Sequence, residues 1–138
     1  KSTYAHEYAL KHGDVAIVAS DQIRLELFGR ADDFSNEDSV WKRFESLILE
    51  KVKTKAIVIA DSSATDNARR LRWAKLFRDS FDFIELVYFD IPFEVCLARN
   101  EKRHLTIPYQ DMVTMKEAFE KPSAEVVGAY DKISKIRK

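Results

Sequence analysis

The stretch Val15-Ala16-Ile17-Val18-Ala19-Ser20-Asp21-Gln22-Ile23-Arg24 decides how the rest of the chain is read. Five small or β-branched apolar residues in succession predict a strand buried on both faces, and the Ser-Asp behind them stops the strand and can cap a helix. Asp21 then stands at the carboxyl edge of the sheet, where open α/β sheets bind their ligands. Arg24 follows one helical turn on, so an acid and a fixed cation are expected to point into one crevice. Taken alone, the same residues fit an N-cap aspartate beside a surface arginine, which is the commoner arrangement.

The chain has 138 residues, 46% apolar and 33% charged, as expected of a single domain over 1–138 with a sizeable core. Lys and Arg together number 23, as do Asp and Glu, so the formal net charge is zero and no polyanionic partner is demanded. Nucleic-acid contact would have to come from local patches. The single cysteine, Cys96, cannot form an internal disulfide and is expected as a small apolar side chain on a helix, in a reducing, cytoplasmic setting. No run approaches a membrane span or the apolar region of a signal peptide, so no membrane partner is expected. With three Gly and three Pro, few loops and no flexible linker are predicted.

Upstream of the quoted stretch, Lys1-Ser2-Thr3 opens a helix that runs to His12, with Tyr4, Tyr8, Ala5 and Ala9 inward. Lys-Ser-Thr is the last part of the phosphate-binding pattern G-x-x-x-x-G-K-[ST], although three residues match by chance often. Downstream, the strand 14–20 gives way to a helical turn over 21–28, then Gly29 and an acidic loop over 31–38, with Ser35 as the candidate cap. A helix to about Lys53 carries Val40, Trp41, Phe44, Leu47, Ile48 and Val52 at core spacing. A second buried strand over 55–60 again ends in a carboxylate, Asp61. A capped helix over 65–80 bears Arg69, Arg70, Arg72, Lys75 and Arg78 around an inward set of Ala68, Leu71, Ala74 and Phe77. That charge run reads chiefly as a solvated face, with Arg69 and Arg70 nearest the ligand edge. A third strand over 83–90 leads through Pro92 to a helix over 93–100, then the basic break Arg99-Asn100-Glu101-Lys102-Arg103-His104 and a helix over 109–120. Helix, basic loop, helix at about 97–113 suits a lid over phosphates; an ordinary solvated turn has the same pattern. A last short strand is predicted over 130–138. His6, His12 and His104 show no metal or triad spacing.

In this order the segments resemble the P-loop kinases of the polynucleotide-kinase-like (AAA-type ATPase) family over nearly the whole chain. The residues that carry the resemblance are Lys1-Ser2-Thr3, Ser20-Asp21-Gln22-Ile23-Arg24, Ile59-Ala60-Asp61-Ser62-Ser63, Arg69-Arg70-Leu71-Arg72-Trp73 and Ala98-Arg99-Asn100-Glu101-Lys102-Arg103. The resemblance implies an α/β three-layer αβα sandwich with a parallel sheet, ATP and Mg²⁺ as ligands, and transfer of the γ-phosphate to a hydroxyl acceptor. A polynucleotide 5′-hydroxyl is the acceptor most expected; a nucleoside or sugar kinase, or a non-catalytic nucleotide-binding module, are the alternatives. It further implies that Lys1 contacts the β/γ-phosphates, Ser2 holds Mg²⁺, and Thr3 sits near the α-phosphate. Asp21 becomes the general base, Arg24 the clamp on a substrate phosphate, and Asp61 a group orienting substrate or the metal's water shell, with Arg69 and Arg70 as further substrate contacts. Arg103, helped by Arg99 and Lys102, would offset charge on the transferring phosphoryl group. Where the family often has Asp-x-x-Asn, this chain has Asp61-Ser62-Ser63-Ala64. The family's first strand and glycine-rich loop would precede Lys1, in mid-sheet, and the chain as quoted is expected to bind ATP weakly without them.

Overall fold

The computed structural model describes residues 1–63, 66–104 and 106–137, so Ala64, Thr65, Leu105 and Lys138 lie outside it. The chain forms two compact units, Lys1–Ser63 and Ala64–Lys138. Each pairs two short parallel strands and packs helices against them, an α/β arrangement consistent with a P-loop NTPase-like fold.

The first unit runs α1 (Ser2–His12), β1 (Val15–Ala19), α2 (Ser20–Phe28), α3 (Glu37–Lys51) and β2 (Ile57–Asp61). Parallel neighbours need a crossover, and α2 with α3 supply it. The register runs from Val15 opposite Ile57 to Ala19 opposite Asp61, so both strands finish at one edge. Gly29, at φ 79°, ends α2 in the left-handed conformation, and its N–H bonds the Leu25 carbonyl at 2.8 Å. Val40, Phe44 and Ile48 form the buried stripe of α3, as their spacing predicts, and Ala5, Val18 and Ile23 are buried with them in this unit.

Several local expectations are corrected here. Of β1, Val18 is fully buried while its neighbours are half-buried, because the sheet of described residues is two strands wide. Ala5 faces the core of the unit and Tyr4 stays exposed; Tyr8 stacks on His12 with ring centroids 3.8 Å apart. Ser20 and Asp21 do not cap α2: Ala19 holds the cap position, Ser20 is buried, and Asp21 lies in the first turn. The cap of α3 is Asn36, whose side chain accepts the Ser39 N–H at 3.3 Å, while Ser35 turns to Asp33.

The second unit runs α4 (Asn67–Phe77), a 3₁₀ turn (Arg78–Ser80), β3 (Glu85–Phe89), α5 (Phe93–Glu101), α6 (Tyr109–Ala118), α7 (Ala124–Ala129) and β4 (Lys132–Ile136). Strands β3 and β4 pair in parallel from Glu85 opposite Lys132 to Phe89 opposite Ile136. Asp66 caps α4 by accepting the Arg69 N–H at 2.7 Å, whereas the predicted start at Thr65 falls outside the described residues. The buried face of α4 is Arg70, Trp73, Ala74 and Phe77, one turn-spaced row displaced from the expected Ala68 and Leu71. A row that contains an arginine reads as solvated; here Arg70 is buried, its Nη1 donating inside the unit and its Nε left without a hydrogen-bond partner among the described residues. The short helix α7, capped by Ser123 and buried through Val126, was not anticipated.

Candidate active site

The shared carboxyl edge of β1 and β2 is where the first unit gathers polar side chains. Because Ala19 sits opposite Asp61, the chain leaving β1 carries Asp21 past the end of β2. The first turn of α1 reaches the same edge: Ser2 Oγ donates to Asp61 Oδ2 at 2.9 Å. Ser2, Asp21 and Asp61 all line one cavity of about 400 Å³. Three of the residues singled out in the sequence are therefore brought together, from three different segments.

Local physics places each. A helix N-terminus presents unpaired N–H groups and the positive end of its dipole, so the start of α1 suits an anion and Ser2 stands in that turn. Lys1 occupies the cap position of α1 and Thr3 follows in the first turn, both exposed. The Asp21 carboxylate is anchored lightly, with Oδ1 accepting the Gln22 N–H at 2.8 Å and the rest of the group left to solvent. Charge in the cavity is one-sided: Asp21, Glu26 and Asp61 line it together with His6, and no lysine or arginine is among its lining residues. Its floor is apolar, from Ile17, Val18, Ile23 and Leu47.

Arg24 is not where the sequence suggested. In place of a crevice shared with Asp21, its guanidinium meets Glu37, with Nε donating to Oε1 at 2.8 Å and Nη2 to Oε2 at 2.7 Å. The Phe34 and Trp41 rings approach it to 4.7 and 5.6 Å. A bidentate carboxylate and two aromatic neighbours satisfy a guanidinium without a ligand.

The remaining basic candidates belong to the second unit. Arg70 is 2% exposed; its Nη1 donates to Asn67 Oδ1 at 2.9 Å and to the Glu120 carbonyl at 2.7 Å, while Tyr130 donates to the Arg70 carbonyl at 2.7 Å. This is a structural arginine that ties α4 to the segment before α7. Arg69 is half-buried beside Trp73, its guanidinium 5.7 Å from the ring. Arg99, Lys102 and Arg103 are exposed around the end of α5. The loop that carries Lys102 and Arg103 is closed at its neck by Asn100, whose Nδ2 donates to the Ile107 carbonyl at 2.7 Å and whose Oδ1 accepts the Ile107 N–H at 2.9 Å. Asn100 is 9% exposed and engages both polar groups of one residue, so the loop is pinned where it leaves and rejoins the helices.

Sequence reasoning gave no role to His6, Gln22, Glu26, Glu37 or Asn100, although Gln22 and Asn100 stand in the segments that carry the resemblance. Helical spacing could have found three of them, since His6 lies four residues after Ser2, and Glu26 four after Gln22 on the helix of Asp21. Glu37 and Asn100 act across loops, where no period connects the partners. Among the described residues no group of three or more His, Cys, Asp or Glu could enclose a metal, and no helix is long and apolar enough to cross a membrane. The Ser2–Asp61 pair does fit Mg²⁺, which takes one or two protein oxygens and leaves the rest of its octahedron to phosphates and water.

A comparison with curated proteins finds no significant match. The sequence model of the AAA domain family matches residues 1–122, which contain α1 through α6 and every residue of the cavity. The chain belongs to this AAA domain family, within the P-loop kinase and ATPase superfamily.

Proposed function

We propose that the protein is an ATP-dependent phosphotransferase that moves the γ-phosphate of ATP to a hydroxyl acceptor held over the carboxyl edge of β1 and β2. The observation that carries this reading is the Ser2 Oγ to Asp61 Oδ2 bond of 2.9 Å in a cavity that Asp21 also lines. A hydroxyl that gives its proton to a carboxylate keeps its lone pairs for a cation, which suits Ser2 and Asp61 to hold Mg²⁺. Bound there, the ion would offset charge on the β- and γ-phosphate oxygens.

On this reading Lys1 pairs with the β/γ-phosphates and Thr3 lies toward the α-phosphate, next to the N–H groups of the first turn. Asp21 takes the proton of the acceptor hydroxyl as its oxygen attacks the γ-phosphorus. The new O–P bond forms, the bond to the β,γ-bridging oxygen breaks, and ADP leaves with that electron pair. Arg103, with Arg99 and Lys102, is assigned to the transferring phosphoryl group, and the Asn100 neck supports this by fixing the backbone that bears it. The proposal includes the single-sheet three-layer αβα architecture such kinases use, and a reducing cytoplasmic setting compatible with the unpaired Cys96.

A transfer screen from γ-labelled ATP tests the reaction, with 5′-hydroxyl oligonucleotides, nucleosides and sugars as separate acceptors in Mg²⁺. Label on at least one class is expected. Tight ATP binding with label on none would leave a nucleotide-binding module in place of a kinase.

A further inference from the structure

The cavity at the carboxyl edge of β1 and β2 holds more acid than the proposed transfer uses. Of its three carboxylates, Asp61 accepts the Ser2 hydroxyl at 2.9 Å and Asp21 accepts the Gln22 N–H at 2.8 Å, and both have a task in that reaction. Glu26 has none. Neither Glu26 nor His6 makes a hydrogen bond or ion pair among the described residues, and no lysine or arginine lines the cavity with them. Arg30, four residues after Glu26, is taken by Asp32 through two bonds of 3.0 and 3.1 Å. Position matters as much as charge. His6 follows Ser2 by one turn of α1, and Glu26 follows Gln22 by one turn of α2, so each is displaced along its helix by about 6 Å from a residue at the edge. Ile17, Val18, Ile23 and Leu47 give the same space of about 400 Å³ an apolar floor. Such a cavity takes a carbon body with a hydroxyl at the edge and, one helical turn away, a group that donates hydrogen bonds to a carboxylate and to an imidazole nitrogen.

We infer that Glu26 is a specificity-determining residue that selects an acceptor carrying a protonated amine about 6 Å from the reacting hydroxyl, an amino alcohol or amino sugar. This rests on the phosphotransferase reading and narrows its acceptor. An ammonium has three N–H donors, enough for the Glu26 oxygens and a His6 nitrogen together, and the bond to Glu26 is charge-assisted at both ends. A second hydroxyl in that place makes only the weaker, half-charged bond. A phosphate or carboxylate there meets Glu26 as a like charge and finds no lysine or arginine in the lining. The amine takes no part in the bond exchange at phosphorus; it decides which molecule presents its hydroxyl to Asp21.

The test uses three cyclohexanols that carry, across the ring from the hydroxyl, an amine, a second hydroxyl or a carboxylate, with γ-labelled ATP and Mg²⁺. In the unmodified protein kcat/KM for the amine is expected to exceed that for the diol by tenfold or more, with the carboxylate the poorest acceptor. Glu26→Gln keeps the shape of the side chain and removes its charge, and is expected to erase most of the preference for the amine, chiefly through KM. Glu26→Lys is expected to reverse the order and place the carboxylate first. An amine used no better than the diol by the unmodified protein would overturn the inference, as would an unshifted ratio in a folded Glu26→Gln. A second arm needs no turnover: binding of the amine and of the diol is measured by calorimetry in excess ADP and Mg²⁺. Tighter binding of the amine, lost in Glu26→Gln, supports the inference; equal binding of the two, or no binding of the amine, sinks it. Absence of label on every acceptor would remove the proposed reaction, leaving the binding arm to decide on Glu26; should neither variant fold, the unmodified protein's preference decides.

Discussion

Two basic regions of this protein use the same residue type in opposite ways. At the α2–α3 corner, Arg24 is buried and held on two atoms by Glu37, so its charge is committed within the fold. At the end of α5, the backbone is fixed by Asn100 while Arg99, Lys102 and Arg103 stay in solvent. The first region fixes the cation and the second fixes the chain that carries cations. An arginine near a ligand edge is thus available only when its partner is missing, which no count of basic residues reveals.

The sharpest way to break this contrast is to remove one cation from each region. Arg103→Ala is expected to lower turnover by roughly 10³-fold, the scale of a missing phosphoryl-charge contact, with thermal stability nearly unchanged. Circular-dichroism melting beside the transfer assay separates the two effects. Glu37→Ala should do the reverse to the fold: an uncompensated guanidinium below the surface costs about 3 kcal/mol, read as a lower denaturant midpoint. If Glu37→Ala proved harmless to stability, Arg24 would not be held as described. Asn100→Ala removes two hydrogen bonds and leaves the Ile107 amide and carbonyl unpaired, for a loss of about 2 kcal/mol. Faster hydrogen exchange at Ile107, with the first unit unaffected, is the expected signature.

Smaller effects come from titration in the second unit. Burial pushes the Tyr130 hydroxyl up to about 12, partly offset by Arg70. A folded-state value above the unfolded one means the native state holds the proton longer. Its stabilising contribution is complete below pH about 10, the ordinary tyrosine value, and disappears as pH rises through about 12. Tyr130→Phe should flatten the alkaline limb of the stability curve in urea titrations. Asp131 works in the other direction: the Ile84 N–H and Arg78 hold its carboxyl below the usual range. Its contribution is present above the ordinary carboxylate pKa and declines as pH falls through the depressed value, so Asp131→Asn should remove part of the acid limb.

Much of the architecture was legible because it rests on local periodicity. The β1 stretch, the stripe Val40-Phe44-Ile48, the break at Gly29 and the strand pattern at 85–89 are all signals within a few residues. The edge cluster was legible too, since an apolar strand ending in an acid places that acid at the carboxyl edge, although β1 is half-buried apart from Val18 and β2 has no fully buried residue. Partners across loops were not. Glu37 lies 13 residues from Arg24, and Glu120, whose carbonyl takes Arg70, lies 50 residues away, so their pairing appears only when the chain closes. A single arginine at helical spacing gives the same sequence signal whether it faces solvent, ligand or a buried carbonyl. The six residues of α7 were too few to show a period.

Asp21→Asn tests most directly the proposed role of Asp21 as the base in the cavity that Ser2 and Asp61 also line. The amide preserves the side chain's size and its bond to the Gln22 N–H while removing its ability to take a proton. The predicted result is a fall in turnover of about 10²-fold or more with ATP affinity within a factor of two of the unmodified protein. Turnover that survives the substitution would contradict the account.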